Sequence, residues 1–185
     1  MVILMRTEVR FVGFGGQGII KSGIIIAAAA CIHSGKSAVQ TQSYGPESRG
    51  GACKSEVVIS EEEIDFPKVV EPDVLVLMSQ YAYNEYAEDV KSGGTVIIDP
   101  DMIPNEKDLA NVKVFRIPAS RIAEELGKKI VANIVMLGAF AAVTSILDKN
   151  AVEESIKENI PKGTEELNMA AFEKGYEYAK SLLKN

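Results

Sequence analysis

Short runs of consecutive apolar residues, divided by polar turns, fill most of the chain, and longer stretches with helical spacing fill its last part. Residues 9–12 read as a short buried strand that runs into the glycines of Gly13-Phe14-Gly15-Gly16-Gln17-Gly18. A helix over about 17–33 follows, stopped by Gly35. Residues 38–41 and 54–60 read as strands, the second with Ser55, Val57 and Ile59 on one face, and 42–51 as a loop dense in Gly, Pro and Ser. No helix separates these two strands, so the sheet is expected to be mixed rather than purely parallel. A continuous apolar run at 74–78 fits a strand covered on both faces, 95–98 reads as another buried strand and 112–117 as the last strand, with a helix over about 80–90 between the first two. Four helices close the chain, near 120–126, 131–147, 151–158 and 165–183, the third opened by a capping-box-like pair, Asn150 and Glu153. Strands alternating with helices predict a three-layer α/β/α architecture with a mixed, mostly parallel, Rossmann-like sheet.

At 185 residues, without linker, repeat or low-complexity tract, the chain is expected to form a single domain over 1–185. Two apolar stretches, 19–32 and 130–147, are interrupted by polar residues and fall short of the roughly 20 residues a membrane span requires. They read as buried helices, and no membrane association is expected. A net charge of −6 leaves no basic footprint for nucleic acid. Two cysteines, Cys31 and Cys53, and one histidine, His33, cannot build a four-cysteine zinc site or hold an iron–sulfur cluster. The thiols read as small buried residues in a reducing cytoplasm, and His33 as a capping or surface residue.

Gly13, Gly15 and Gly18 form a GxGxxG pattern between strand and helix, where a tight turn and a helix N-terminus can cradle an anion. A dinucleotide site also needs an acid about 20 residues on, at the end of the second strand. No acid occurs between Lys36 and Ser43, which counts against NAD. The same glycines could serve only to pack helix on strand. Gln17, with Gly16 beside it, adds an amide at the helix start that could donate to a ligand or a facing subunit.

The second loop, Gln42-Ser43-Tyr44-Gly45-Pro46-Glu47-Ser48-Arg49-Gly50-Gly51, belongs by chain order to the same C-terminal sheet edge. Glu47 and Arg49 could pair locally, or Arg49 could grip a phosphate or carboxylate with its planar guanidinium. Together the two loops, followed by Ser55-Glu56-Val57-Val58-Ile59-Ser60, Glu71-Pro72-Asp73-Val74-Leu75-Val76 and Asn133-Ile134-Val135-Met136-Leu137-Gly138-Ala139, resemble the gamma subunit of 2-oxoacid:ferredoxin oxidoreductases. The resemblance runs from about Val9 to Ala142. The Tyr-Gly-Pro-Glu-x-Arg-Gly-Gly form looks more like 2-oxoglutarate enzymes than pyruvate enzymes.

That resemblance implies a non-catalytic subunit. Alpha and beta subunits would hold thiamine diphosphate and its magnesium, beta and delta subunits the iron–sulfur clusters that feed ferredoxin. The product acyl group leaves on coenzyme A, and this chain would complete the assembly and line the coenzyme A approach. Gly13, Gly15, Gly16, Gln17, Gly18, Ser43, Tyr44, Glu47, Arg49 and Gly50 are its candidate binding residues, and no cofactor is expected in the chain itself. The same role in a pyruvate or branched-chain 2-oxoacid enzyme is the alternative, as is a stand-alone anion- or nucleotide-binding protein. Helix 130–147, apolar all round, is expected to bury one face in the core and set another near a subunit contact, with the isolated chain a homodimer. Tyr81, Tyr83 and Tyr86 read as core or as interface anchors.

Overall fold

The computed structural model describes residues 6–44 and 51–184. In chain order its elements are β1 (Thr7–Phe14), α1 (Ile19–Ala28), β2 (Ser37–Tyr44), β3 (Ala52–Ser60), β4 (Val74–Leu77), α2 (Gln80–Tyr86), β5 (Thr95–Ile98), β6 (Lys113–Arg116), α3 (Ala119–Glu125), α4 (Ala132–Thr144), α5 (Lys149–Asn159) and α6 (Glu165–Leu182). One sheet has the order β2-β3-β1-β4-β5-β6. β3 lies antiparallel between β2 and β1, while β1, β4, β5 and β6 are mutually parallel. The mixed sheet expected from the missing helix between β2 and β3 is therefore present.

Period-two alternation splits the strands between two cores. Val9, Phe11, Val74, Val76 and Ile97 face a layer built from α1, α3, α4, α5 and α6. Val12, Leu75, Leu77, Val96 and Ile98 face α2 and the segment around Ile103. Strands buried on both faces have no polar positions to alternate, which explains the unbroken VLVL of β4. Where the thin α2 layer ends, the sheet is closed by a polar bracket. Buried Arg10 donates to Glu56 at 2.7 Å and to Asp89 at 2.6 Å, beneath the Tyr86 ring. Such a cation is tolerated in the interior because its donors are engaged by carboxylates.

Several expectations are corrected. The loop 42–51 is shorter than its composition suggests, because β2 and β3 pair without interruption from Ser37↔Ser60 to Tyr44↔Cys53. The helix expected from 17 begins at Ile19, since Gly18 takes a left-handed φ of 75°, and it ends in a π-helical turn, Ala29–His33. α5 starts one residue before Asn150, so Asp148 is its N-cap and Glu153 lies near Lys149 instead of closing a capping box. Cys31 is exposed, whereas Cys53 is buried and its thiol pKa is pushed up by that burial. Tyr83 is core, its hydroxyl bonded to the Lys107 backbone, while Tyr81 is exposed and stacks on Phe14. His33 sits at the surface beside Glu158, 3.0 Å away.

The largest correction concerns α4. Residues 132–141 are all buried, but the outer face is covered within the chain by α6 and not by another subunit. Its small residues serve that contact. A Cβ on Gly138 would collide with the Phe172 carbonyl oxygen, and one on Gly175 with the Val135 carbonyl oxygen. The two backbones touch, and neither carbonyl can move without breaking its own helix. Gly138→Val and Gly175→Val should each lower stability by at least about 2 kcal/mol, read from urea midpoints. A loss below about 0.5 kcal/mol in both would show that α6 swings away cheaply.

Candidate functional site

β1 and β4 are neighbours whose following connections run to opposite sides of the sheet, β1 through α1 to β2 and β4 through α2 to β5. Such a reversal opens a crevice at the C-terminal strand ends, where ligands bind in open α/β sheets. The glycine turn occupies that place.

Gln17 sets the shape of the turn. Its Oε1 accepts the Phe14 N–H at 2.7 Å, and its Nε2 donates to the Met78 carbonyl at 2.8 Å. The side chain thus ties the end of β1 to the end of β4, and Gly13 is bare because a Cβ there would strike the folded-back amide. The amide expected to reach a ligand is instead committed to two backbone partners. Gly15 donates its N–H to the Gly51 carbonyl at 2.9 Å, joining the glycine turn to the start of β3. Gly16, with φ 93°, is exposed and has open space above it.

Of the second loop, Ser43 and Tyr44 lie at the exposed end of β2, at the same rim and beyond one intervening strand, roughly 10 Å from β1. Glu47, Arg49 and Gly50 lie outside the described residues, and so does the choice between a local Glu47–Arg49 pair and a ligand-facing Arg49.

Asn133, on the first turn of α4, completes the site from the far end of the chain. It packs against Gly18, where a side chain would overlap its amide, and its Nδ2 approaches the Gly18 carbonyl at 3.4 Å. Asn133 is 5% exposed, and its Oδ1 accepts from no described residue. Asn168 of α6 is 7% exposed, with its amide nitrogen bonded to Thr164 and its Oδ1 likewise open. Both line a groove of about 450 Å³ between the glycine turn, α4 and the α5–α6 connection, with apolar walls including Ile134, Ile160 and Leu167. Lys21 and Lys128 stand at its margin, exposed and without an ion-pair partner among the described residues. A second hollow of about 450 Å³ opens on the other side of Ile130, against Gln17, Met78 and Met102. Ile130, 72% exposed, is the ridge between them.

At the rim of β5, buried Asp99 accepts the Ser120 N–H at 2.7 Å and the Asp101 N–H at 3.0 Å. Burial pushes its carboxyl pKa up, and the two N–H groups only partly offset that. Among the described residues, no group of three His, Cys, Asp or Glu side chains could hold a metal ion, and no helix is long and apolar enough to cross a membrane.

The family model for pyruvate ferredoxin/flavodoxin oxidoreductase matches residues 8–178. The chain belongs to that family. Among curated relatives, the 2-oxoglutarate synthase subunit KorC of Methanocaldococcus jannaschii is 56% identical over 182 residues, covering 97% of each chain. The solved gamma subunit of the keto/oxoacid ferredoxin oxidoreductase from Geobacter sulfurreducens PCA is 41% identical, with a TM-score of 0.84 over 95% of this chain and 99% of that one. The 2-oxoglutarate:ferredoxin oxidoreductase from Magnetococcus marinus, solved with 2-oxoglutarate, coenzyme A and succinyl-CoA bound, matches at 28% identity and TM-score 0.87. There the match takes in 97% of this chain but 32% of the other, so in that protein the same fold is one part of a longer chain. Within the family the chain is a gamma subunit of a 2-oxoacid:ferredoxin oxidoreductase, most like that of the 2-oxoglutarate enzyme.

Two outcomes test this geometry. Gln17→Ala leaves the Phe14 N–H and Met78 carbonyl without their partner and should cost about 1–3 kcal/mol, with faster amide exchange at Phe14. A raised folded-state pKa means that the native protein holds the Asp99 proton more tightly than the unfolded chain does. Stability from this group is therefore lost as pH rises from the ordinary carboxylate range through the raised value. Asp99→Asn should abolish that loss, so the variant gains on the wild type as pH increases in urea titrations. A difference that stays flat with pH would contradict the burial effect.

Proposed function

We propose that this chain is the gamma subunit of a 2-oxoglutarate:ferredoxin oxidoreductase that forms succinyl-CoA, and that it is the non-catalytic member that lines the coenzyme A approach. Thiamine diphosphate with magnesium and the iron–sulfur clusters belong, on this reading, to alpha, beta and delta partner subunits, which pass electrons to ferredoxin in the cytoplasm. The high identity to the KorC relative supports the choice of 2-oxoacid.

The groove beside the glycine turn carries the coenzyme A assignment. Coenzyme A offers anionic phosphates at one end and an arm with two amide N–H donors. The first-turn N–H groups of α1 have no intrahelical acceptor and favour an anion, with Lys21 and Lys128 adding charge nearby. The open Oδ1 atoms of Asn133 and Asn168 are acceptors suited to amide donors, and the apolar walls suit the methylene arm between them. Gly16 keeps the turn low enough for a close approach, Gly18 makes room for Asn133 beside it, and Ser43, Tyr44, Glu47, Arg49 and Gly50 would supply the opposite lip. Gln17 acts as the brace beneath.

The test is steady-state kinetics of the reconstituted complex with 2-oxoglutarate, coenzyme A and ferredoxin. Asn133→Leu, Lys128→Ala and Arg49→Ala should each raise the KM for coenzyme A by about tenfold, the equivalent of roughly 1.4 kcal/mol, and leave the KM for 2-oxoglutarate unchanged. Equal KM values for coenzyme A in all three variants would remove these residues from its path. The purified chain alone should show no iron–sulfur absorbance and no 2-oxoacid oxidation; either signal would overturn the division of labour.

A further inference from the structure

Three asparagines converge on the groove beside the glycine turn, each from the end of a different helix. Asn133 stands on the first turn of α4, Asn159 is the last residue of α5, and Asn168 lies on the first turn of α6. All three amides are turned the same way. The Asn133 Nδ2 faces the Gly18 carbonyl at 3.4 Å, and the Asn159 Nδ2 donates to the Ser155 carbonyl at 2.8 Å. The Asn168 Nδ2 donates to the Thr164 carbonyl at 2.8 Å and to its hydroxyl at 3.1 Å. An amide oxygen in place of any of these nitrogens would meet a carbonyl oxygen, so the nitrogen has to be the inward atom. Each Oδ1 is left over, and no described residue donates to it.

The groove lacks the complementary chemistry. Among the described residues that line it, the one hydroxyl, that of Thr164, donates to the Pro161 carbonyl at 2.6 Å. The cations, Lys21 and Lys128, stand at the margin. No Asp or Glu lines it, although the chain carries 26 acids. The interior therefore offers acceptors without negative charge. A carboxylate would accept equally well but would repel an anion held nearby, and an amide oxygen does not.

We infer, resting on the coenzyme A assignment above, that Asn133, Asn159 and Asn168 are the residues by which the groove selects its thiol carrier. They recognise the neutral pantetheine arm through its donors. Coenzyme A carries two amide N–H groups and one hydroxyl along that arm, against three amide oxygens in the groove. Asn133 and Asn168 are 5% and 7% exposed, so a ligand without donors would leave their oxygens covered and unpaired, a penalty that rejects it. Phosphates then attract the ligand without selecting it. A nucleoside diphosphate satisfies the lysines and the helix terminus but brings no arm to the amides.

The test uses the reconstituted complex with saturating 2-oxoglutarate and three thiol acceptors: coenzyme A, pantetheine, and pantetheine with one amide N–H replaced by an ester oxygen. Asn159→Leu and Asn168→Leu should each raise the KM for coenzyme A and for pantetheine by about tenfold. Lys128→Ala should raise it far more for coenzyme A than for pantetheine, which has no phosphate. The ester should be about tenfold poorer than pantetheine with the wild type, and this preference should disappear in the variant that lacks the matching oxygen. A variant that merely disturbs the fold would keep the preference. Equal use of ester and amide by the wild type, or a preference unchanged in every asparagine variant, would overturn the inference. If Lys128→Ala still raises the KM for coenzyme A in that case, the coenzyme A assignment stands and only the role of the amides falls. If none of the variants changes either KM, both fall.

Discussion

The side-chain amide of Gln17 joins two strands that the chain otherwise visits far apart, holding the end of β1 through Phe14 and the end of β4 through Met78. Both partners are backbone groups that must be satisfied if they are to be partly buried. Because the amide spans the point where the connections diverge, the crevice there has a fixed floor. Gly13 has to be bare to admit the amide, and Gly18 has to be bare to admit Asn133. The glycine pattern is thus a record of two side chains that pass over the backbone, more than of flexibility. The ordering of the turn costs little once those bonds are made, and a ligand arriving at the rim would meet a surface already shaped.

Much of this was legible in the sequence, for identifiable reasons. Strands buried on both faces, such as Val74–Leu77, announce themselves as unbroken apolar runs. The absence of a helix between β2 and β3 dictated an antiparallel insertion. The glycine turn and the motif-bearing second loop pointed to the family, and the glycine turn lies at the sheet edge that chain order gave it. Local spacing, however, says nothing about which surface covers an all-apolar helix. That left α4 assigned to a subunit contact when Gly138 and Gly175 had already matched it to α6.

The groove was harder to read because its walls come from opposite ends of the chain. Gly18 and Asn133 are brought together by folding alone, as are Lys21 and Asn168. One signal was available. Asn133 is a polar residue inside the apolar stretch 130–147, and a buried amide in such a run must face either a partner or a cavity. Gln17 misled for the complementary reason: an amide at a helix start is equally suited to a ligand and to the turn beneath it, and sequence does not reveal which way it folds.

The backbone contact between α4 and α6 also has a temporal meaning. α6 is synthesised after α4 and α5, yet it supplies both the cover for α4 and, through Leu167 and Asn168, a wall of the groove. Until it docks, the nascent chain carries a finished glycine turn above an exposed helix whose sequence, ANIVMLGAFAAVT, is almost wholly apolar. Such a helix is a target for chaperones and a seed for aggregation. Cover for the apolar helix and closure of the groove therefore arrive in a single step, when α6 docks.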